Sequence, residues 1–155
     1  MALTAAKFQL TVQKLARGGA SGTGLLLNAD TIKLALFTAA TAPVLATDIS
    51  YSTTLAGGSA EVASGNGYTT GGNTCGAGIT ANSGGTETLR TTSNPTAWTA
   101  STSGFAFRYI LLYDDTASSK WLLMQWDYGS TVTLSGANAD TFTATGPITS
   151  YATLA

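Results

Sequence analysis

Histidine is absent from this chain of 155 residues, cysteine occurs once, and Asp, Glu, Lys and Arg together make up only 10% of it. Without histidine, the commonest base for activating a Ser or Cys nucleophile is missing. A single Cys75 can form no intrachain disulfide, and one Cys with no His gives no zinc-type ligand set. No metal and no cofactor are therefore expected, and Cys75 reads as a small buried apolar side chain. The charged fraction is less than half of the ~25% usual in soluble domains. Thr, Ser, Gly and Asn, which hydrogen-bond water without carrying charge, must keep the surface wet.

The seven basic residues are scattered, the net charge is −1 and the pI is about 5.0. A phosphate-binding surface needs several Lys and Arg on one face, so nucleic acid is not an expected partner. No run approaches the ~18 apolar residues that cross a bilayer. The order of Met1-Ala-Leu-Thr-Ala-Ala-Lys7 is not the basic-then-apolar order of a secretory signal, which predicts synthesis and retention in a cytoplasm.

What is present reads as one all-β domain over 1–155, with a helix and Gly-rich loop in 1–20 and a β-sandwich in 25–155. Ala5, Phe8, Val12 and Leu15 have the spacing of one helix face, predicting a helix from Thr4 to Arg17 that Gly18-Gly19 ends. In Thr31–Thr38, Ile32, Leu34 and Leu36 alternate with Lys33 and Ala35, the pattern of a half-buried strand. Ala39–Gly58, broken by Pro43, reads as a long loop or irregular edge. Residues 61–72 are dense in turn formers. Short strands are expected at Thr86–Thr92, Ala97–Thr99, Phe105–Tyr113, Lys120–Tyr128, Ser130–Leu134 and Asp140–Thr145. Phe105–Tyr113 and Lys120–Tyr128 form a hairpin across Asp114–Ser119. Both strands are apolar on two faces, so they are either central strands or strands pressed on another subunit.

Candidate chemistry is thin. Lys7, Lys14, Lys33 and Lys120 are the available partners for a Ser–Lys dyad, and each reads more simply as a solvated charge. Asp114/Asp115 and Glu61/Glu87 are the carboxylate pairs to consider for sugar hydrolysis. Asp114 and Asp115 adjoin on a turn, however, and Asp is a preferred turn former. Neither a calcium loop nor a phosphate loop is spelled out. Among the aromatics, Tyr109, Tyr113, Trp121 and Trp126 lie in apolar strands and read as core or interface, while Trp98 is the freest to serve as a ligand platform. Phe8, Val12, Trp98, Tyr109, Trp121 and Trp126 are the candidate protein-interface residues.

Asp30-Thr-Ile-Lys-Leu-Ala-Leu-Phe-Thr38, Glu61-Val-Ala-Ser-Gly-Asn-Gly-Tyr-Thr-Thr-Gly-Gly72, Phe107-Arg-Tyr-Ile-Leu-Leu-Tyr-Asp114 and Leu122–Asp127, followed by a Thr-rich closing strand, resemble small virion structural proteins of tailed bacteriophages. The block at 61–72 is the most specific part, and Ala39–Thr54 departs from the pattern. The resemblance implies a jelly-roll-like antiparallel sandwich without catalysis. It implies a capsid decoration (cement) protein on the virion surface, associating with itself as a dimer or trimer and binding the major capsid protein. A tail or head-fibre component, or a carbohydrate-binding module, is the alternative. No binding residue carries over from that group.

Overall fold

Phe105–Asp114 and Leu122–Leu134 make the expected hairpin, and it is the centre of the molecule. In the computed structural model, described over residues 4–7, 30–38, 41–48, 50–55, 58–83, 86–116, 118–145 and 152–154, the strands are β1 (Thr4–Lys7), β2 (Thr31–Phe37), β3 (Asn73–Ser83), β4 (Thr86–Thr91), β5 (Trp98–Thr99), β6 (Phe105–Asp114), β7 (Leu122–Leu134), β8 (Thr141–Phe142) and β9 (Ala152–Leu154). Seven form one sheet in the order β1-β7-β6-β2-β3-β4-β9, and β5 and β8 pair separately. Every pairing is antiparallel. No helix occurs among the described residues, and so none there is long and apolar enough to cross a membrane.

The two-sided apolar pattern of β6 has its reason in two cores, one on each face. Ile32, Leu34 and Leu36 of β2 pack on one side with Phe107, Ile110, Leu112, Met124 and Trp126. Trp98 of β5, Ala100, Val62 and Tyr68 cover them. Ala35 and Phe37 of β2 lie on the other side with Tyr109, Leu111, Tyr113 and Leu122. There the cover is Leu55, with the partly buried Leu45 and Tyr51 packed against the cluster. Ala39–Gly58, read as a loop or irregular edge, thus has a packing role through its described residues. Its described residues form no extended strand, but bridges at Ser50–Trp121 and Thr54–Ala60 tie them down. Of the two readings left open for the hairpin, central strands covered on both faces is the one observed.

Two sequence expectations are corrected in detail. The breaks expected around Gly129 do not divide Lys120–Tyr128 from Ser130–Leu134; one strand, β7, runs through. Its register jumps from Phe107↔Val132 to Tyr109↔Asp127, so Arg108 faces the stretch Tyr128–Thr131 in a β-bulge. The bulge is held because the Arg108 guanidinium donates to both Asp127 oxygens, Nε to Oδ1 at 2.7 Å and Nη2 to Oδ2 at 3.0 Å, while the Gly129 N–H donates to Oδ1 at 2.7 Å. A bidentate pair of this kind fixes geometry as well as charge. Secondly, Thr4–Lys7, the start of the expected helix, is a strand along the edge of β7, with Ala5 opposite Trp126. The open edge of β7 offers these residues a backbone ladder, and tertiary pairing overrides local helical spacing. The rest of that segment, with Phe8 and Val12, lies outside the described residues.

β3 had no counterpart in the sequence reading. Its first half pairs with β2 and its second with β4, and a register shift between Thr31↔Ala77 and Lys33↔Thr74 marks the change.

Candidate functional site

Beyond Leu34 the edge of β2 has left β3 behind, and residues 60–62 take over the backbone pairing. Val62 N–H donates to Leu36 O at 2.9 Å, and Thr38 N–H to Ala60 O at 2.8 Å. Just before these bonds, after the last β3 partner at Leu34, the Leu36 N–H donates instead to the Tyr68 hydroxyl at 3.0 Å. That hydroxyl in turn donates a hydrogen bond to Glu61 Oε1 at 2.6 Å. Tyr51 donates to Glu61 Oε2 at 2.5 Å, and Gly71 N–H to Oε1 at 2.7 Å. Tyr113 closes the group by donating to Gly71 O at 2.7 Å. Glu61, with 7% of its surface exposed, is an acceptor-only carboxylate whose three donors come from the segments on either side of it in the chain. This satisfies it as burial demands.

The Tyr51 ring stacks on Tyr113, with centroids 4.1 Å apart, and Lys120 Nζ lies 5.6 Å from the Tyr51 centroid. Lys120 and Lys33 both reach Asp115, at 2.8 and 2.7 Å. Burial, the largest influence on Asp115, pushes its carboxyl up, but the hydrogen bonds from Lys120 and Lys33 together hold it below the ordinary carboxylate value. Asp127 is also held low, first by the Arg108 hydrogen bond.

Among the nominated residues whose side chains are described, none comes together with another as a reaction partner. Asp114 Oδ1 caps the turn by accepting Thr116 N–H at 2.8 Å, while Asp115 holds two lysines. Adjacent carboxylates thus serve separate structural ends. Lys33 and Lys120 are bound to Asp115, and Lys14 lies outside the described residues. Burial pushes the Cys75 thiol up to about 12, so it is a thiol rather than a thiolate at neutral pH. Among the described residues no three His, Cys, Asp or Glu side chains are placed to hold a metal ion.

Trp98, nominated as a ligand platform, is 2% exposed and lies between Tyr68 and Phe142, with centroids 6.4 and 5.8 Å away. Tyr109 and Trp126 are likewise interior, and Trp121 is half-buried. The part played by Tyr51, Tyr68 and Gly71 was invisible in the sequence. Asn66-Gly67, a two-residue turn signal, was the one available hint, since it folds Tyr68 back toward Glu61.

Every charged side chain whose surroundings are described is engaged within the fold. Besides those above, Asp48 accepts Val44 N–H at 2.6 Å, Asp140 accepts Ser135 N–H at 2.8 Å, and Asp30 is also partnered. The chain matches no family model, no curated protein and no solved structure.

The tyrosine group makes a prediction for alkaline pH. Burial first, and then the negative charge of Glu61 or Asp115, raises the phenols of Tyr51, Tyr68 and Tyr113 above the ordinary value. Groups raised in the folded state stabilise it fully below their unfolded value, about 10 for tyrosine, and lose that contribution as pH rises above it. Urea midpoints should fall between about pH 9 and about pH 11, with much of the tyrosinate absorbance appearing together with unfolding. Tyr51→Phe and Tyr68→Phe should each flatten the fall. Gradual ionisation of all tyrosines in an intact fold would contradict this assignment.

Proposed function

We propose that the chain is a non-enzymatic structural protein of a tailed-phage particle, a decoration protein that binds across major capsid subunits on the outside of the shell and associates with copies of itself. The observation that carries the reading is the internal engagement of charge. Among the described residues the ionisable side chains cap turns, pin a bulge and tie neighbouring segments rather than converging on a cleft, and the exposed side chains are mainly those of neutral Thr, Ser, Gly and Ala. Such a surface suits contact with another protein that tolerates salt. The resemblance of the 61–72 block and of the strands around β2 and β6 to phage virion proteins supports the same reading. In it the main sheet and the β5–β8 pair are the two layers of a jelly-roll-like sandwich. The sugar-binding alternative loses its nominated platform with Trp98 in the interior.

The mechanism is mass action. A protein that binds only the assembled shell stabilises it by about 2.7 kcal/mol per site at a hundredfold excess over Kd, and many copies add that contribution over the whole surface. Quantitative mass spectrometry of purified particles of the encoding phage is the test. Copies in the hundreds, near a simple ratio to the major capsid protein, are expected. A few to a few dozen copies would transfer the protein to the tail or fibres, and absence from particles would overturn the structural reading.

A further inference from the structure

The rings of Tyr51 and Tyr113 lie face to face, 9° from parallel with centroids 4.1 Å apart. Among the described residues this is the one ring contact between two phenols. Their hydroxyls share one end of the stack. Tyr51 donates to Glu61 Oε2, the other oxygen of that carboxylate accepts the Gly71 N–H, and Tyr113 donates to the Gly71 carbonyl. The carbons beside each hydroxyl therefore stand at the same end of two facing rings. Tyr113 is fully buried in β6, and Tyr51 is half-buried on the segment that covers it.

A phenol that loses an electron together with its proton becomes a phenoxyl radical, with much of the unpaired spin on the two ring carbons beside the oxygen. Two such radicals join through those carbons, and the new bond grows from the π faces, perpendicular to each ring. Stacked faces are the approach this reaction needs, and a fold that holds them together makes the coupling unimolecular. The proton of Tyr51 has an acceptor in place, because Glu61 Oε2 lies 2.5 Å from its hydroxyl. The Tyr113 hydroxyl also faces the Asp115 carboxylate.

We infer that Tyr51 and Tyr113 form an oxidative modification site, at which a diffusible one-electron oxidant couples the two rings into dityrosine. Each ring gives one electron to an oxidant molecule and its hydroxyl proton to the neighbouring carboxylate, from which it passes to water. The radicals form one carbon–carbon bond between carbons beside the oxygens. The hydrogen on each joined carbon then moves to the adjoining oxygen, which restores both phenols, and the chain ends two hydrogen atoms lighter. The bond would tie the 50–55 segment to β6 in a chain whose single cysteine can form no intrachain disulfide. Like a disulfide, it would restrain the unfolded chain by closing a long loop.

The test is oxidation of the purified protein at neutral pH by tris(bipyridine)ruthenium, photo-oxidised with persulfate. The expected product is a monomer lighter by two hydrogen atoms, with dityrosine fluorescence, a yield independent of protein concentration and a higher urea midpoint than the untreated chain. After trypsin, peptides 34–90 and 109–120 should be joined, and fragmentation should place the bond at Tyr51 and Tyr113. Unfolding in urea before oxidation should lower this product at least about tenfold. Tyr51→Phe and Tyr113→Phe, each checked for folding by near-ultraviolet dichroism, should abolish it, while Tyr128→Phe should leave it unchanged. A bond from Tyr51 to Tyr68, cross-links only between chains, or undiminished product in folded Tyr51→Phe would overturn the assignment. So would the absence of coupling under conditions that couple N-acetyltyrosine amide.

Discussion

Replacing Glu61 with alanine should cost about 3–5 kcal/mol of stability, a large share of the total for a domain of this size. The variant would strand three donors, the hydroxyls of Tyr51 and Tyr68 and the N–H of Gly71. Two of them are fixed by their other roles, since Tyr68 also serves the Leu36 N–H and Tyr51 stacks on Tyr113. Buried groups left unpaired cost about 1–3 kcal/mol each. Glu61→Gln keeps the volume and one acceptor but sets an NH2 group against a donor, so a loss of about 1–2 kcal/mol is expected. Urea unfolding followed by tryptophan fluorescence reads both. A loss below about 0.5 kcal/mol for the alanine variant, within the range of an ordinary surface substitution, would mean that Glu61 is not the tie between these segments.

A comparable effect is expected at Gly72. Its φ is +65°, and a Cβ there would stand 1.9 Å from Leu34 O and 2.8 Å from Ala35 Cα. Those are backbone atoms in the middle of β2, which also pairs with β6, so they have no room to move. Gly72→Ala should therefore push the start of β3 away from β2, where Leu34 faces Asn73, at a cost of about 3 kcal/mol or more. Gly71→Ala is the matched comparison. Its φ is +97°, but its Cβ would meet only the Tyr113 hydroxyl at an ordinary 3.8 Å. That variant should lose only the conformational cost, about 1–2 kcal/mol. Equal losses at the two positions would show that backbone conformation, not close approach to β2, governs this corner.

The parts of the fold that could be read from sequence are those in which one strand's pattern suffices. Alternation in Thr31–Thr38 and aromatic density in Phe105–Tyr113 marked β2 and β6 directly. β3 was hidden because Gly76 and Gly78 interrupt it, and its two halves pair with different neighbours. Thr4–Lys7 is too short for spacing to separate helix from strand, and the edge of β7 decided between them. Trp98 sits on a two-residue strand among polar neighbours, too brief for any period to reveal that it faces inward. The Glu61 group was least legible, because its donors lie at positions 51, 68 and 71, and only the folded sheet brings them to one carboxylate.

The inward engagement of charge has a kinetic side. A protein with a net charge of −1, whose described basic side chains are each paired with a carboxylate, projects little field into solution. It can then gain little of the electrostatic steering that raises association toward 10⁸–10⁹ M⁻¹s⁻¹, and unsteered encounters run at about 10⁵–10⁶ M⁻¹s⁻¹. Arrival at any partner is correspondingly slow and indifferent to ionic strength, so tight binding would have to come from long residence.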